Sequence, residues 1–184
     1  MSPFFILCLP RSRSAWLANF LTYGPSFCFH EGLIGCSDTK ALRRKMEATG
    51  STVVGNSDCG NIFHIDEIME EFPDARLVVV RRDVEESVKS VMAMGESFRE
   101  VGIIRAADTI LQKLPHLYSS LVIDFDDLNE DGCRTIWEYC TQTEFNRLRW
   151  EMLDPLIIQI DEVKKVAQLE SCALENRMLE TRGE

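Results

Sequence analysis

Phe4-Phe5-Ile6-Leu7-Cys8-Leu9-Pro10-Arg11-Ser12-Arg13-Ser14-Ala15-Trp16-Leu17 carries most of what the sequence says about the fold. Phe4 to Leu9 is apolar without alternation, the pattern of a strand covered on both faces. Pro10 ends the run, and arginines and serines alternate from Arg11 to Ser14. An apolar helical stretch starts at Ser14. In a strand, short polar loop and helix, free backbone N–H groups and the positive end of a helix dipole meet fixed cations. That combination holds phosphate-like anions.

Outward from this stretch the pattern alternates. Ser26 to His30 reads as a strand, Thr39 to Thr49 as a polar helix before Gly50, and Ser51 to Val54 as a short strand. Ile62 to Glu71 reads as a helix ended by Phe72-Pro73. Arg76 to Val80 contains Leu-Val-Val-Val, again a strand buried on both sides. Helices follow at Val84 to Met94 and Phe98 to Lys113, then a strand at Leu121 to Ile123, with helices filling most of the rest. The fold class is therefore α/β, a mostly parallel central sheet with helices on both faces. No linker, repeat or low-complexity stretch divides the chain, which predicts one domain over residues 1–184 with a C-terminal helix from about Pro155. Leu156, Ile160, Val163 and Ala167 form a stripe on that helix, read as core packing or as a homodimer contact.

Ligands of such sheets bind beyond the carboxyl ends of the strands. The residues expected there are Arg11 to Ser14, Gly55 to Gly60, Arg82, and Asp124 to Asp127.

Charge narrows the partners. The 184 residues carry 20 Lys and Arg against 30 Asp and Glu, a formal net charge of −10. That balance argues against nucleic acid or an anionic membrane, which require a basic face. Arg11, Arg13, Arg81 and Arg82 stand at strand ends, where position favours a ligand, whereas Arg43, Arg44 and Lys45 read as a solvated helix face. No apolar run is long enough for a bilayer, and the first strand is too short and weakly flanked for a signal peptide. Seven cysteines are scattered without CxxC pairs, so they read as reduced thiols of a cytoplasmic protein, with no metal site expected.

The loop resembles that of the sulfotransferases, which has the form Pro-Lys/Arg-Ser-Gly-Thr-Thr-Trp-Leu. Pro10, Arg11, Ser12, Trp16 and Leu17 match, while Arg13, Ser14 and Ala15 stand where Gly-Thr-Thr is usual. Val53-Val54-Gly55 through Phe72-Pro73-Asp74-Ala75-Arg76-Leu77 is similar to the family's middle section. Arg82-Asp83, with Ser90 eight residues after Arg82, is similar to its Arg-Asp/Asn-Pro…Ser element, with Val84 in place of Pro. Ile123-Asp124-Phe125-Asp126-Asp127-Leu128 is similar to its Tyr-Glu-Asp-Leu strand end. The resemblance covers roughly residues 3 to 155, with these motifs in order along it.

The resemblance implies a P-loop-like architecture and transfer of a sulfuryl group from 3′-phosphoadenosine-5′-phosphosulfate (PAPS), leaving 3′-phosphoadenosine-5′-phosphate (PAP). No metal is implied. Arg82 and Ser90 would hold the 3′-phosphate. Arg11 would face the bridging oxygen and the 5′-phosphate, with Ser12 and Ser14 on the same phosphate. Trp16 would stack on adenine, its rival reading being a core aromatic. Arg13 would lie over the sulfuryl oxygens as a second cation, its rival reading being a side chain in solvent. Asp58 stands where many relatives have Lys, Glu144 to Leu153 resembles a segment that covers the cofactor with Arg147 and Arg149 in phosphate reach, and Thr181-Arg182-Gly183 does not reproduce the family's Arg-Lys-Gly element.

Sulfuryl transfer resembles loose phosphoryl transfer, so positioning and charge stabilisation dominate. Arg11 grips oxygens but cannot surrender a proton, so it serves as an electrostatic stabiliser. The base for the acceptor is expected at Glu31 first and His30 second; His64 and His116 read as structural. The acceptor would be a small molecule offering a hydroxyl or amine. Two other readings stand beside this one: a silent relative that binds nucleotide or serves as a scaffold, and a divergent nucleotide kinase. The loop lacks the Gly-Lys-Ser/Thr of a Walker A motif. A Cys-based phosphatase is rejected, because four residues separate Cys8 from Arg13 where five are needed.

Overall fold

The computed structural model describes residues 1–95 and 98–156. The expected C-terminal helix beyond Leu156, its dimer stripe at Ile160, Val163 and Ala167, and Thr181-Arg182-Gly183 lie outside the described residues. Five strands, β1 (Ser2–Cys8), β2 (Ser26–His30), β3 (Val53–Ser57), β4 (Arg76–Arg81) and β5 (Ser120–Asp124), form one all-parallel sheet in the order β2-β3-β1-β4-β5. This is the expected α/β sheet. No helix among the described residues is long and apolar enough to cross a membrane.

β1 is the centre because it is apolar on both faces: every residue from Phe4 to Leu9 is fully buried. Phe4, Ile6 and Cys8 face one core with Val78 and Val80 of β4, covered by α1 (Ser14–Leu21), α7 (Glu130–Thr141) and α8 (Arg147–Leu153). Phe5, Leu7 and Leu9 face the other with Leu77 and Val79. That core is covered by α2 (Thr39–Glu47), α3 (Ile65–Glu71), α4 (Val84–Met92), α5 (Phe98–Leu111) and α6 (Leu114–Leu117). Two apolar faces on one sheet require two helical layers, and the period-two alternation of side chains assigns each residue its layer.

β3 departs most from expectation. It runs to Ser57, not Val54, so Gly55, Asn56 and Ser57 are strand residues although glycine and asparagine are poor strand formers. Packing overrides propensity here. Phe4 pairs with Gly55, and a Cβ on Gly55 would lie 2.1 Å from the Phe4 ring, so only glycine fits. The helix expected from Ile62 starts at Ile65, after a 3-10 turn over Cys59–His64.

The chain passes from β3 to β4 across β1. The carboxyl end of β1 is therefore the switch point, with neighbours on both sides. The loop from Leu9 to Arg13 lies there.

Candidate functional site

The loop after β1 is built around two left-handed residues. Arg11 has φ 66° and Arg13 φ 61°, while Ser12 between them does not, so φ changes sign at each step. A left-handed side-chain residue costs roughly 1–2 kcal/mol. This geometry is the physical reason for the family's glycine at Arg13: the backbone makes a sharp turn there, and in this chain an arginine makes it.

The carbonyls of this loop are turned outward and bonded. Ser87 Oγ donates to Pro10 O at 2.7 Å and Arg82 Nη1 donates to Arg11 O. Leu17 N donates to Arg13 O at 2.8 Å, and Ser57 Oγ to Ser14 O at 3.0 Å. The donors fare differently. The first amides of α1 have no partner within the helix, and its N-cap residue, Arg13, supplies no side-chain acceptor. Ser12 is fully buried and its Oγ has no partner among the described residues. Acceptors tied back around unmatched donors make a cradle suited to an anion.

Arg11, Arg82 and Ser90 come together beside it. Arg11 Nε donates to Ser90 Oγ at 3.3 Å. Arg82 follows β4, lies with its guanidinium 4.3 Å over the Phe125 ring, and has a side chain only 14% exposed. Its other neighbour is Glu86, 3.9 Å away and well exposed. Stacking on an aromatic face and bonding to a carbonyl fix a guanidinium without neutralising it. α4 is the element that joins these parts. Its N-cap, Asp83, accepts from Glu86 N, and Ser87 and Ser90 lie three residues apart on its loop-facing side.

His30 enters from β2. The register pairs His30 with Ser57, the residue that holds Ser14 O, and His30 Nε2 is 3.1 Å from Ser14 Oγ. The next residue, Glu31, turns left-handed at φ 54° and donates its amide to Ser57 O at 3.2 Å. Two fully buried asparagines support this turn. Asn56 Oδ1 accepts from Gly32 N at 2.7 Å, Asn56 Nδ2 donates to Asn61 Oδ1 at 2.8 Å, and Asn61 Nδ2 donates to Ile6 O and Asn56 O. A Cβ on Gly32 would lie 2.6 Å from Asn56 Oδ1, so glycine is required for the close approach.

Several expected ligands are engaged elsewhere. Trp16 is 1% exposed, stacked on Phe20 at 5.1 Å, and donates Nε1 to Leu153 O at 2.8 Å. Its other face is covered by Arg13, whose guanidinium lies 4.3 Å from the ring centroid and reaches Leu128 O at 3.4 Å. The core reading of Trp16 is thus the one the structure supports, and Arg13 lies neither in solvent nor over the cradle, because an indole face nearby stabilises it. Asp58 caps the 3-10 turn by accepting from Gly60 N at 2.7 Å. Arg149 donates to Asn19 O and Thr22 O at the carboxyl end of α1, and Arg147 pairs with Glu130 and Glu151. The bonds of both arginines go to these helix carbonyls and acids and not to the loop after β1. Asp124 pairs with Arg81 at 2.9 Å, so Phe125 is the member of that segment that reaches the site. The expected solvated face of α2 also needs correction: Arg43 engages Glu71, and Lys45 donates to Gly32 O at 2.9 Å, steadying the turn after His30.

Ser87 and Asn61 were not expected as site residues, whereas Asn56 and Ser57 fall within the Gly55 to Gly60 segment expected at this end. Ser87 had a signal, its spacing of three from Ser90 on one helix. Asn61 had none in the local sequence.

Burial governs the thiols of this end and of the core beneath. The Cys8 thiol is pushed well up by its hydrogen bond with Cys59 and by burial, and burial pushes Cys133 up to about 12.

None of the curated proteins matches the chain. The sequence model of the sulfotransferase family matches residues 36–137, which takes in β3, β4, α4 with Arg82 and Ser90, β5 and most of α7. The loop from Pro10 to Trp16 and His30 precede the matched stretch. With more than half of its 184 residues matched and the parallel sheet that this architecture needs, the chain belongs to the sulfotransferase family.

Proposed function

We propose that the chain transfers a sulfuryl group from PAPS to a hydroxyl or amine of a small acceptor. The observation that carries this reading is the uncapped start of α1, with its surrounding carbonyls bonded away and Arg11, Arg82 and Ser90 gathered beside it. The orphaned Ser12 hydroxyl fits a phosphate oxygen. The residues that would hold the donor's phosphates are Arg11, Ser12, Ser14, Arg82 and Ser90. Trp16 supplies no adenine platform, because both its faces are covered.

His30 is the base of this proposal, ahead of Glu31, because its Nε2 is already at the hydroxyl of Ser14 beside the cradle. The acceptor's proton passes to Nε2 as its oxygen or nitrogen bonds to sulfur and the bond from sulfur to the phosphate oxygen breaks. Arg11 stabilises the charge that collects on the departing phosphate and keeps its own protons. Asn56, Asn61 and Lys45 hold the turn that aims His30. The protein would work as a cytoplasmic enzyme: the described cysteines carry free thiols, in keeping with a reducing compartment.

A second reading, a relative that binds nucleotide without turnover, is favoured by one observation, the arginine folded over Trp16. Calorimetric titration with PAP separates the cases, with ATP plus Mg²⁺ and AMP as comparators. Micromolar binding of PAP, lost by roughly 10–100-fold in Arg82→Ala as expected for removing a charge-assisted contact, supports the donor site. Sulfate transfer lost in His30→Ala with PAP binding intact supports the base; binding without any transfer selects the second reading. Binding of ATP alone overturns both and points to a kinase.

A further inference from the structure

We propose that Cys8 and Cys59 are a dithiol that peroxide converts to a disulfide, joining the end of β1 to the 3-10 turn after β3 beside the phosphate loop. The register carries this. β1 and β3 pair from Ser2 with Val53 through Ile6 with Ser57, and Asp58 N donates to Ile6 O at 3.4 Å, continuing the ladder past the strand. One step further brings Cys59 abreast of Cys8. Neighbouring strands lie about 4.8 Å apart, within the Cα separation of about 4.4–6.8 Å that a disulfide spans. Both side chains belong to the same face: Cys8 is part of the core under α1, and Cys59 packs against that core. The nearness of Cys59 also raises the Cys8 thiol well above its ordinary range.

Their exposures divide the labour. Cys8 is fully buried, whereas Cys59 is only part-buried. Cys59 and burial raise the Cys8 thiol, and the difference in exposure makes Cys59 the sulfur that meets the oxidant first. The Cys59 thiolate attacks hydrogen peroxide, giving a sulfenic acid and hydroxide. The Cys8 sulfur then attacks the sulfenic sulfur, the S–S bond forms, and the hydroxyl leaves as water with the Cys8 proton. Two thiols and one peroxide become one disulfide and two waters. Cys28, Cys133 and Cys140 are buried, and Cys36 donates to Gly32 O on the other side of β3. A disulfide of this kind in a reducing compartment is transient and redox-sensing.

The bond would draw the two chain ends together two residues before Pro10, and Ser57, which secures Ser14, lies two residues before Cys59. Weaker anion binding in the oxidised protein follows; this consequence rests on the phosphate-loop reading. The test is peptide mapping of the full chain after brief treatment with hydrogen peroxide, with and without dithiothreitol. The expected result is one linked peptide containing Cys8 and Cys59, lighter by two hydrogens, reversed by the reductant and absent in Cys59→Ser. Cys8 that stays open to alkylation after unfolding, or Cys59 joined to another cysteine, overturns the proposal. Calorimetry with PAP on the same samples is expected to show at least threefold weaker binding when oxidised. Equal affinity in both samples removes the regulatory consequence, and failure of the reduced protein to bind PAP indicts the phosphate-loop reading, while mapping alone decides the disulfide.

Discussion

Two helices on the same face of the sheet, α1 and α7, both begin near the carboxyl ends of strands, yet their first turns are opposites. α7 is closed by its own chain. Asn129 accepts from Asp131 N at 3.0 Å and Gly132 N at 3.1 Å, Glu130 and Asp131 add negative charge, and the Asp127 carbonyl crowds Gly132 so closely that a Cβ would lie 1.9 Å away. α1 has no side-chain cap and no acid in its first turn, and an arginine stands at the N-cap in a left-handed conformation. A helix start satisfied from within is a structural end. One left unsatisfied and flanked by held cations forgoes about 1 kcal/mol of capping, which the proposed function reads as a recognition end.

The largest expected effect comes from giving α1 the chemistry of α7. Ser14→Glu places a carboxylate where Glu130 stands in α7. A like charge at about 4 Å in an effective dielectric near 20 costs about 4 kcal/mol, so PAP affinity measured by calorimetry should fall at least about 100-fold. The melting temperature should hold or rise, since the acid favours the helix dipole. Binding that survives would show that the open end is not the anion site.

Gly32→Ala probes the neighbour of the open end. The new Cβ meets Asn56 Oδ1 and displaces the turn that carries His30. Turnover should fall roughly 10-fold or more, short of the 10²–10⁴-fold of losing a general base outright. PAP affinity should stay within about twofold. A parallel loss of both would merge binding and proton transfer into one structural unit.

At the closed end, Asn129→Ala removes the cap of α7. Stability should drop by about 1 kcal/mol, seen as a fall of about 2–4 °C in melting temperature, with no change in PAP binding. The smallest effect is expected for Arg13→Gly. Relief of the left-handed strain, about 1–2 kcal/mol, is offset by the lost contact with Trp16, about 0.5–1 kcal/mol, and by the greater freedom of an unfolded glycine, about 0.5–1 kcal/mol. Denaturant titration should therefore move by less than about 0.5 kcal/mol. PAP affinity should be kept.

The open end was legible in the sequence because its signals are local. An unbroken apolar run, a proline, alternating arginines and serines, and a helix fit in fourteen consecutive residues. β4 and Arg82 were legible for the same reason. Asn56 and Ser57 were legible only as part of a strand-end loop, and Asn61 not at all: their partners at Gly32, Ser14 and Ile6 lie far along the chain. Trp16 shows the converse error. A position in a motif says which residue type stands there but not what covers it, and Arg13 and Phe20 cover this ring. Glu31 stands ahead of His30 in the sequence reading, where the resemblance allows either a carboxylate or a His in this part of the site; the pairing of His30 with Ser57 and its contact with Ser14, invisible before the sheet order is known, are what favour His30 in the proposal.

One tie across the molecule bears on the order of events during synthesis. Trp16 Nε1 bonds Leu153 O, a sequence separation of 137, and Arg149 bonds the carboxyl end of the same helix. An early helix of this domain is thus completed by the last described one. Until residue 153 has emerged, α1 can pack on the sheet but lacks the bond to its indole and the hold on its carboxyl end, so this helix gains its last restraints only when the distant segment arrives.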